Sequence, residues 1–311
     1  MAILDNLFGA PKKDSLLEPA AFTASYSVAV TNEFTMGRDN PVLSLNTESQ
    51  ITVKQELEKN RLYNTVTLNS ISGHTESEHL KPRLEQMLAL AGISKKMVIE
   101  RNSRGKMVRI ANMRELEQEW AVWREDQLPD VVTGEKQQTV FAAHYERGLQ
   151  AMEKNIKNNL NYFILLPEIF FLKKHAAQGG YGSEMQLPSK LVEDMVIRYR
   201  FAPVQVNDTE QPVVQLQAEI LNRNEMYRHH LEELYKAQQE FDISAYGFSI
   251  ELGYVLEKST GKIISGNLFL KEKMHAHLQY LLHIWANERG PPTETKAGLP
   301  FKTKRRSFLA D

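Results

Sequence analysis

The stretch FTASYSVAVTNEFTM, Phe22 to Met36, decides the fold class. Phe22, Ala24, Tyr26, Val28, Val30, Phe34 and Met36 fall on one side, with mostly small or polar residues on the other, which is the pattern of a strand with one buried face. At the ordinary rise such a strand is roughly 50 Å long. Strands of that length twist and curl, so one face of their sheet becomes concave. The apolar face needs a cover, supplied either by the rest of the chain or by a bound partner.

Working outward, RDNP (Arg38 to Pro41) supplies turn chemistry, and Leu43, Leu45, Ile51 and Val53 continue in phase. Leu62, Val66 and Leu68 alternate in the next segment, which completes a three-stranded meander. KKMVIERNSRGKMVRIAN predicts two short strands around a turn at Asn102 to Gly105. Strands return with EDMVIRYRFAPVQV and PVVQLQAEIL, and again where Phe248, Ile250, Leu252, Tyr254 and Leu256 alternate up to a hairpin turn at Ser259 to Lys262. From Ile264 to Ile284 one parity of apolar residues persists, which predicts a single bent strand or two strands end to end.

Helical periods lie between the strand groups. TESEHLKPRLEQMLALAG places Leu80, Leu84, Met87, Leu88 and Ala91 on one face, with Thr75 and Glu78 as a capping pair. Asn112 is placed to cap MRELEQEWAVWREDQ, in which Leu116, Trp120 and Trp123 share a face. One long amphipathic helix is then expected through Phe141, Tyr145, Leu149, Met152, Ile156, Leu160 and Phe163. The helices from Met113 to Leu166 carry enough apolar residues to cover much of a sheet, so the chain is expected to supply its own lid.

The fold class is therefore α+β: a long curved antiparallel sheet formed by N- and C-terminal strands and covered by an inserted helical segment. Residues 1–20 form a hook in which Ile3, Leu4, Leu7 and Phe8 recur at helical spacing. Residues 21–286 form a single α+β domain with its helical insertion at 113–175, and 287–311, rich in Pro, Gly and charge, read as a mobile tail.

Composition narrows the function classes. The chain has 311 residues, 42% hydrophobic and 25% charged, ordinary for a folded globular protein. A formal net charge of −1 provides no global field for nucleic acid or an anionic membrane. With no cysteine, disulfides, thiolate catalysis and cysteine-ligated metal centres are excluded. No segment reads as a signal peptide or reaches membrane-spanning length, so the chain reads as cytoplasmic.

No catalytic motif emerges and no cofactor is implied. His275 and His277 share a strand face, with His283 at the same parity, which is half of a metal site at most; the plainer reading is surface polarity on the face opposite the apolar one. His229 and Glu233 lie four apart beside His230 and Glu232, but not in the HExxH order. LPDVVTGEK (Leu128 to Lys136) is loosely similar to the acidic and lysine residues of metal-dependent nucleases, with spacing too short to flank a metal ion on a hairpin. Trp120, Trp123, Tyr145 and Phe163 are the candidate ligand- or partner-binding residues, with core packing as their plainer role. Ile3, Leu4, Leu7 and Phe8 are the second candidate set, as a docking peptide, and KTKRRSF (Lys302 to Phe308) is a basic run suited to an acidic partner or phosphate.

The layout of Phe22 to Ile71 and Phe248 to Ile284 around a helical insertion from Met113 to Leu166 resembles the curved-sheet architecture of LolA-type lipoprotein carriers. The resemblance implies a concave apolar face that holds an acyl chain or a partner peptide. The leading expectation is a non-catalytic bacterial protein-binding factor, an adaptor, chaperone or immunity-like protein. The alternatives are a carrier of a lipid or other apolar molecule and a metal-dependent enzyme using His275 and His277.

Overall fold

The computed structural model describes residues 16–37, 42–93, 95–172, 182–223, 246–275 and 277–289. The N-terminal strands are β1 (Phe22–Met36), β2 (Leu43–Glu58), β3 (Arg61–His74), β4 (Lys96–Arg101) and β5 (Met107–Ile110). The C-terminal strands are β6 (Met185–Pro188), β7 (Val196–Asn207), β8 (Val213–Ile220), β9 (Gly247–Leu256), β10 (Ile263–His275) and β11 (Leu278–Glu288). They join in one antiparallel sheet of 11 strands, ordered β5-β4-β3-β2-β1-β11-β10-β9-β8-β7-β6. The two ends of the described chain meet at its centre, where Tyr26 faces Glu288 and Met36 faces Leu278.

The alternation predicted for β1 holds: Ala24, Tyr26 and Val28 are buried on the inner face. Tight turns set the register of the meander. Lys59 and Asn60, both at positive φ, link Glu58 to Arg61 in a two-residue hairpin of the kind that matches strand twist. A bulge between Gln50 and Ile51 adds twist to β2 and β3.

The long parity run from Ile264 to Ile284 is neither a bent strand nor two strands end to end. β10 and β11 form a hairpin in which His275 pairs with Leu278, after a register shift at Lys273 to His275. The turn carries no Gly, Asn or Pro, and the parity passes through it unchanged, so the reversal left no mark on the pattern. The strand also outlasts the boundary drawn at residue 286: it continues to Glu288, and the Arg289 N–H donates to Ser25 O at 2.7 Å.

Five helices are described: α1 (Lys81–Ala91), α2 (Met113–Asp126), α3 (Leu128–Val131), α4 (Glu135–Asn155) and α5 (Leu160–Leu165). Thr75 does not cap α1. Its hydroxyl donates to Ser44 O at 2.7 Å, and the helix begins at Lys81, so that Pro82 occupies its first turn. The predicted long helix is two helices. It breaks at a 3₁₀ turn, Ile156–Asn158, where Asn159 caps α5 by accepting from the Asn161 N–H at 3.0 Å.

That break determines what covers the sheet. α4 meets the sheet at its edge strand β5, whereas α5 turns inward onto β10 and β11. Ile164, Leu165, Leu166, Ile169 and Leu172 are all buried there, and the Tyr254 hydroxyl donates to Phe163 O at 3.3 Å. Gly266 makes room chiefly for the Tyr254 ring, since a Cβ there would lie 3.2 Å from Tyr254 Cε1 and 3.4 Å from Ile164 Cδ1. The lid is thus the short segment after the break and not the whole helical insertion.

The plug is held by a buried polar network. Arg101 Nε donates to Gly105 O at 2.7 Å and Nη2 to Pro167 O at 2.5 Å, while Asn64 Nδ2 donates to Gln55 Oε1 at 3.0 Å and Gln55 Nε2 to Ala20 O at 2.7 Å. Burial pushes the Arg101 guanidinium down to about 9, which leaves it charged at neutral pH. Both edge strands, β5 and β6, contact the 3₁₀ turn, and the Gln186 N–H donates to Asn158 Oδ1 at 2.9 Å. The sheet stays open, and this turn stands between its edges.

Two asparagines extend the outer ladders. Asn112 does not cap α2 with its side chain; it accepts from the Val98 N–H at 2.8 Å and donates to Lys96 O at 3.0 Å. Asn222 makes the matching pair on β7, accepting from the Arg198 N–H at 2.9 Å and donating to Val196 O at 2.8 Å.

Candidate functional site

The predicted aromatic set divides. Trp120 and Trp123 on α2 stack on each other at 5.6 Å, Tyr145 on α4 lies 4.2 Å from Trp120, and Phe141 extends the stack at 6.4 Å from Trp123. Their spacing of three and four residues places them on facing helical stripes. Phe163 is elsewhere, on the inner face of the sheet, stacked on Phe201 at 5.2 Å. Trp120, Trp123 and Phe163 are buried, so the set does not converge on one cavity, and core packing accounts for most of its surface. Ile3, Leu4, Leu7, Phe8, the His229 to Glu233 cluster and the basic run from Lys302 lie outside the described residues.

Of the stack, Trp123 alone reaches a surface groove and forms part of its floor. Trp120 Nε1 donates to Glu146 Oε1 at 3.3 Å and Arg124 Nη1 to the same oxygen at 2.7 Å, which fixes α2 against α4. On the side of α2 next to its buried stripe, Glu115, Glu119 and Val122 recur at i, i+4 and i+7. With Ile93, Trp123 and Gln127 they line an open groove of about 500 Å³. Val122 is 60% exposed at its rim. Trp123 Nε1 is buried with no hydrogen-bond partner among the described residues. The Glu119 carboxyl is raised above its ordinary value by burial and by the neighbouring Glu115 charge, against the opposing pull of Lys95 and Lys96.

Of the residues singled out from the sequence only Trp123 lines this groove, and its rim was missed. The available signal was Val122, an apolar residue one strip away from the buried face of a charged helix. Glu115 and Glu119 by themselves look like ordinary solvated helix residues.

The other candidates separate in space. LPDVVTGEK forms the helical corner between α3 and α4, with Asp130 and Glu135 both exposed, and not a metal-binding hairpin. His277 sits in the β10–β11 turn, while His283 faces outward from the middle of β11, 2.6 Å by Nε2 from Asn267 Oδ1. Among the described residues no group of three or more His, Asp or Glu is arranged to hold a metal ion. No helix among them is long and apolar enough to cross a membrane.

No protein-family model matches the chain, and no curated protein matches it. Among solved structures it is similar to DynF from the dynemicin biosynthesis pathway of Micromonospora chersina, at 8% identity over 91% of each chain and a TM-score of 0.22. It is also similar to Rv2717c from M. tuberculosis, at 6% identity over 93% of this chain and 99% of the other, with a TM-score of 0.25. Neither likeness is close enough to carry a functional argument.

Proposed function

We propose that this protein is a non-catalytic protein-binding factor, an adaptor, chaperone or immunity-like protein of the cytoplasm, which receives a segment of another protein in the groove along α2. The observation that carries this reading is a contrast in occupancy. The inner face around Tyr254 and Ile284 is filled by the chain's own Phe163 to Leu172, whereas the groove on α2 is open, with an apolar floor and an acidic rim. Ile93, Val122 and Trp123 suit an apolar anchor, and Glu115 and Glu119 suit a flanking lysine or arginine. The near-zero net charge gives nucleic acid no comparable surface. No cofactor enters the proposal.

The test is a photo-crosslinking residue placed at position 122 in the protein expressed in its own cells, with the equally exposed Val204 on β7 as control. A discrete polypeptide adduct is expected at 122 and not at 204, weakened about tenfold when Glu115→Lys and Glu119→Lys are combined. Adducts at both positions, or at neither, would remove the groove as the binding site. A lipid carrier is the second reading, favoured by the half-buried inner-face residues Val30, Phe34, Leu43 and Leu45 beyond the plug. A stoichiometric apolar molecule in native mass spectra of the same preparation would move the assignment there.

A further inference from the structure

An antiparallel sheet with one face in water alternates apolar and polar along each strand. β11 departs from that rule. Leu282, Ile284 and Ala286 join the core, yet Leu281, His283 and Trp285 on the opposite face are also ring-bearing or aliphatic. Phe269 on β10 pairs directly with His283 and meets its ring edge-on at 5.6 Å, and the His283 ring lies over Trp285 with centroids 3.3 Å apart. With Leu281 two residues from His283 on the same strand face, these four half-buried side chains share the middle of the outer face.

The rim of the patch is charged in an ordered way. Leu281 pairs with Glu33 on β1 and with Lys271 on β10, so one row across the sheet reads Glu33, Leu281, Lys271. The next row reads Thr31, His283, Phe269, Glu251. An aromatic centre inside a polar rim is the anatomy of a protein interface.

We propose that this face binds a second copy of the chain, sheet against sheet, about a two-fold axis running along β11. Such an axis lays β1 of one copy over β10 of the other. Leu281, His283 and Trp285 then meet their own counterparts on the axis, and Glu33 of each copy faces Lys271 of the other, so one opposite-charge pair occurs twice. Aligned sheet packing tolerates the rotation that sheet twist imposes while keeping these central residues in contact. The alternative axis across the strands would place each of them over an uncharged residue of its own strand, Glu33 over Ala29 and Lys271 over Asn267, and so forfeits both charge pairs. This surface is separate from the groove on α2, and the inference does not depend on the function proposed for that groove.

Sedimentation equilibrium of the full chain, wild type beside Glu33→Lys, Lys271→Glu and the double exchange, tests it. The wild type is expected to reach twice the monomer mass by about 100 µM, where an interface of standard size is populated. Each single exchange is expected to weaken association about tenfold, and the double exchange to restore it to within about threefold of wild type. Leu281→Asp, checked for native circular dichroism, should abolish the dimer. A wild type that stays monomeric at that concentration would overturn the proposal. So would a dimer that survives Leu281→Asp, or a double exchange no better than the singles.

Discussion

Tyr199 illustrates how a residue can be fully packed and still hold an unspent polar atom. It lies on the inner face of β7, fully buried, with Phe201 edge-on at 5.5 Å, and its hydroxyl has no hydrogen-bond partner among the described residues. Burial raises the phenol above its ordinary range, so it stays neutral. Since an unsatisfied buried hydroxyl costs more than it returns, Tyr199→Phe is expected to stabilise the fold by about 1 kcal/mol in urea unfolding, with an unchanged m-value. His283 makes a pH-dependent counterpart on the outer face. Burial pushes its imidazole down to about 4 from an ordinary 6.5. Above about pH 6.5 the ring is neutral in both states and stability is full; as pH falls from there toward 4 the unfolded chain takes up the proton first and stability declines. The difference in unfolding midpoint between wild type and His283→Gln should therefore change between pH 6.5 and 4 and stay level above that window.

At the scale of elements, the two asparagine clamps do the work of missing ladder residues. β4 and β7 each have a partner strand that stops short, and a side-chain amide then satisfies one N–H and one C=O of the continuing strand. Asn222→Ala is expected to cost about 1 to 2 kcal/mol, read from equilibrium denaturation, because it strips both groups at once. The same scale shows what the sequence could convey. Strands with one buried face, such as β1 and β3, were visible because a period of two is the direct imprint of burial. The β10–β11 turn was not, because its residues lack turn chemistry and the parity survives the reversal. Asn112 was placed at the correct position but in the wrong role, since helix capping and strand clamping draw on the same short amide. The groove was half legible: Trp120 and Trp123 announce a helix with an apolar stripe, whereas its acidic rim depends on where Ile93, from outside the helix, comes to rest.

For the whole molecule, the decisive feature is that β1 and β11 are neighbours at the middle of the sheet. All the other strands lie between β1 and β11 in sequence, so the central seam cannot form until every one of them has been synthesised. Until then β1 presents a long unpaired edge of alternating apolar residues, the kind of surface that recruits other nascent chains. Contacts of such wide sequence separation also slow folding itself. The order of the strands thus makes synthesis, more than equilibrium stability, the most exposed moment in this protein's life, and ties its yield in the cell to whatever shelters β1 during translation.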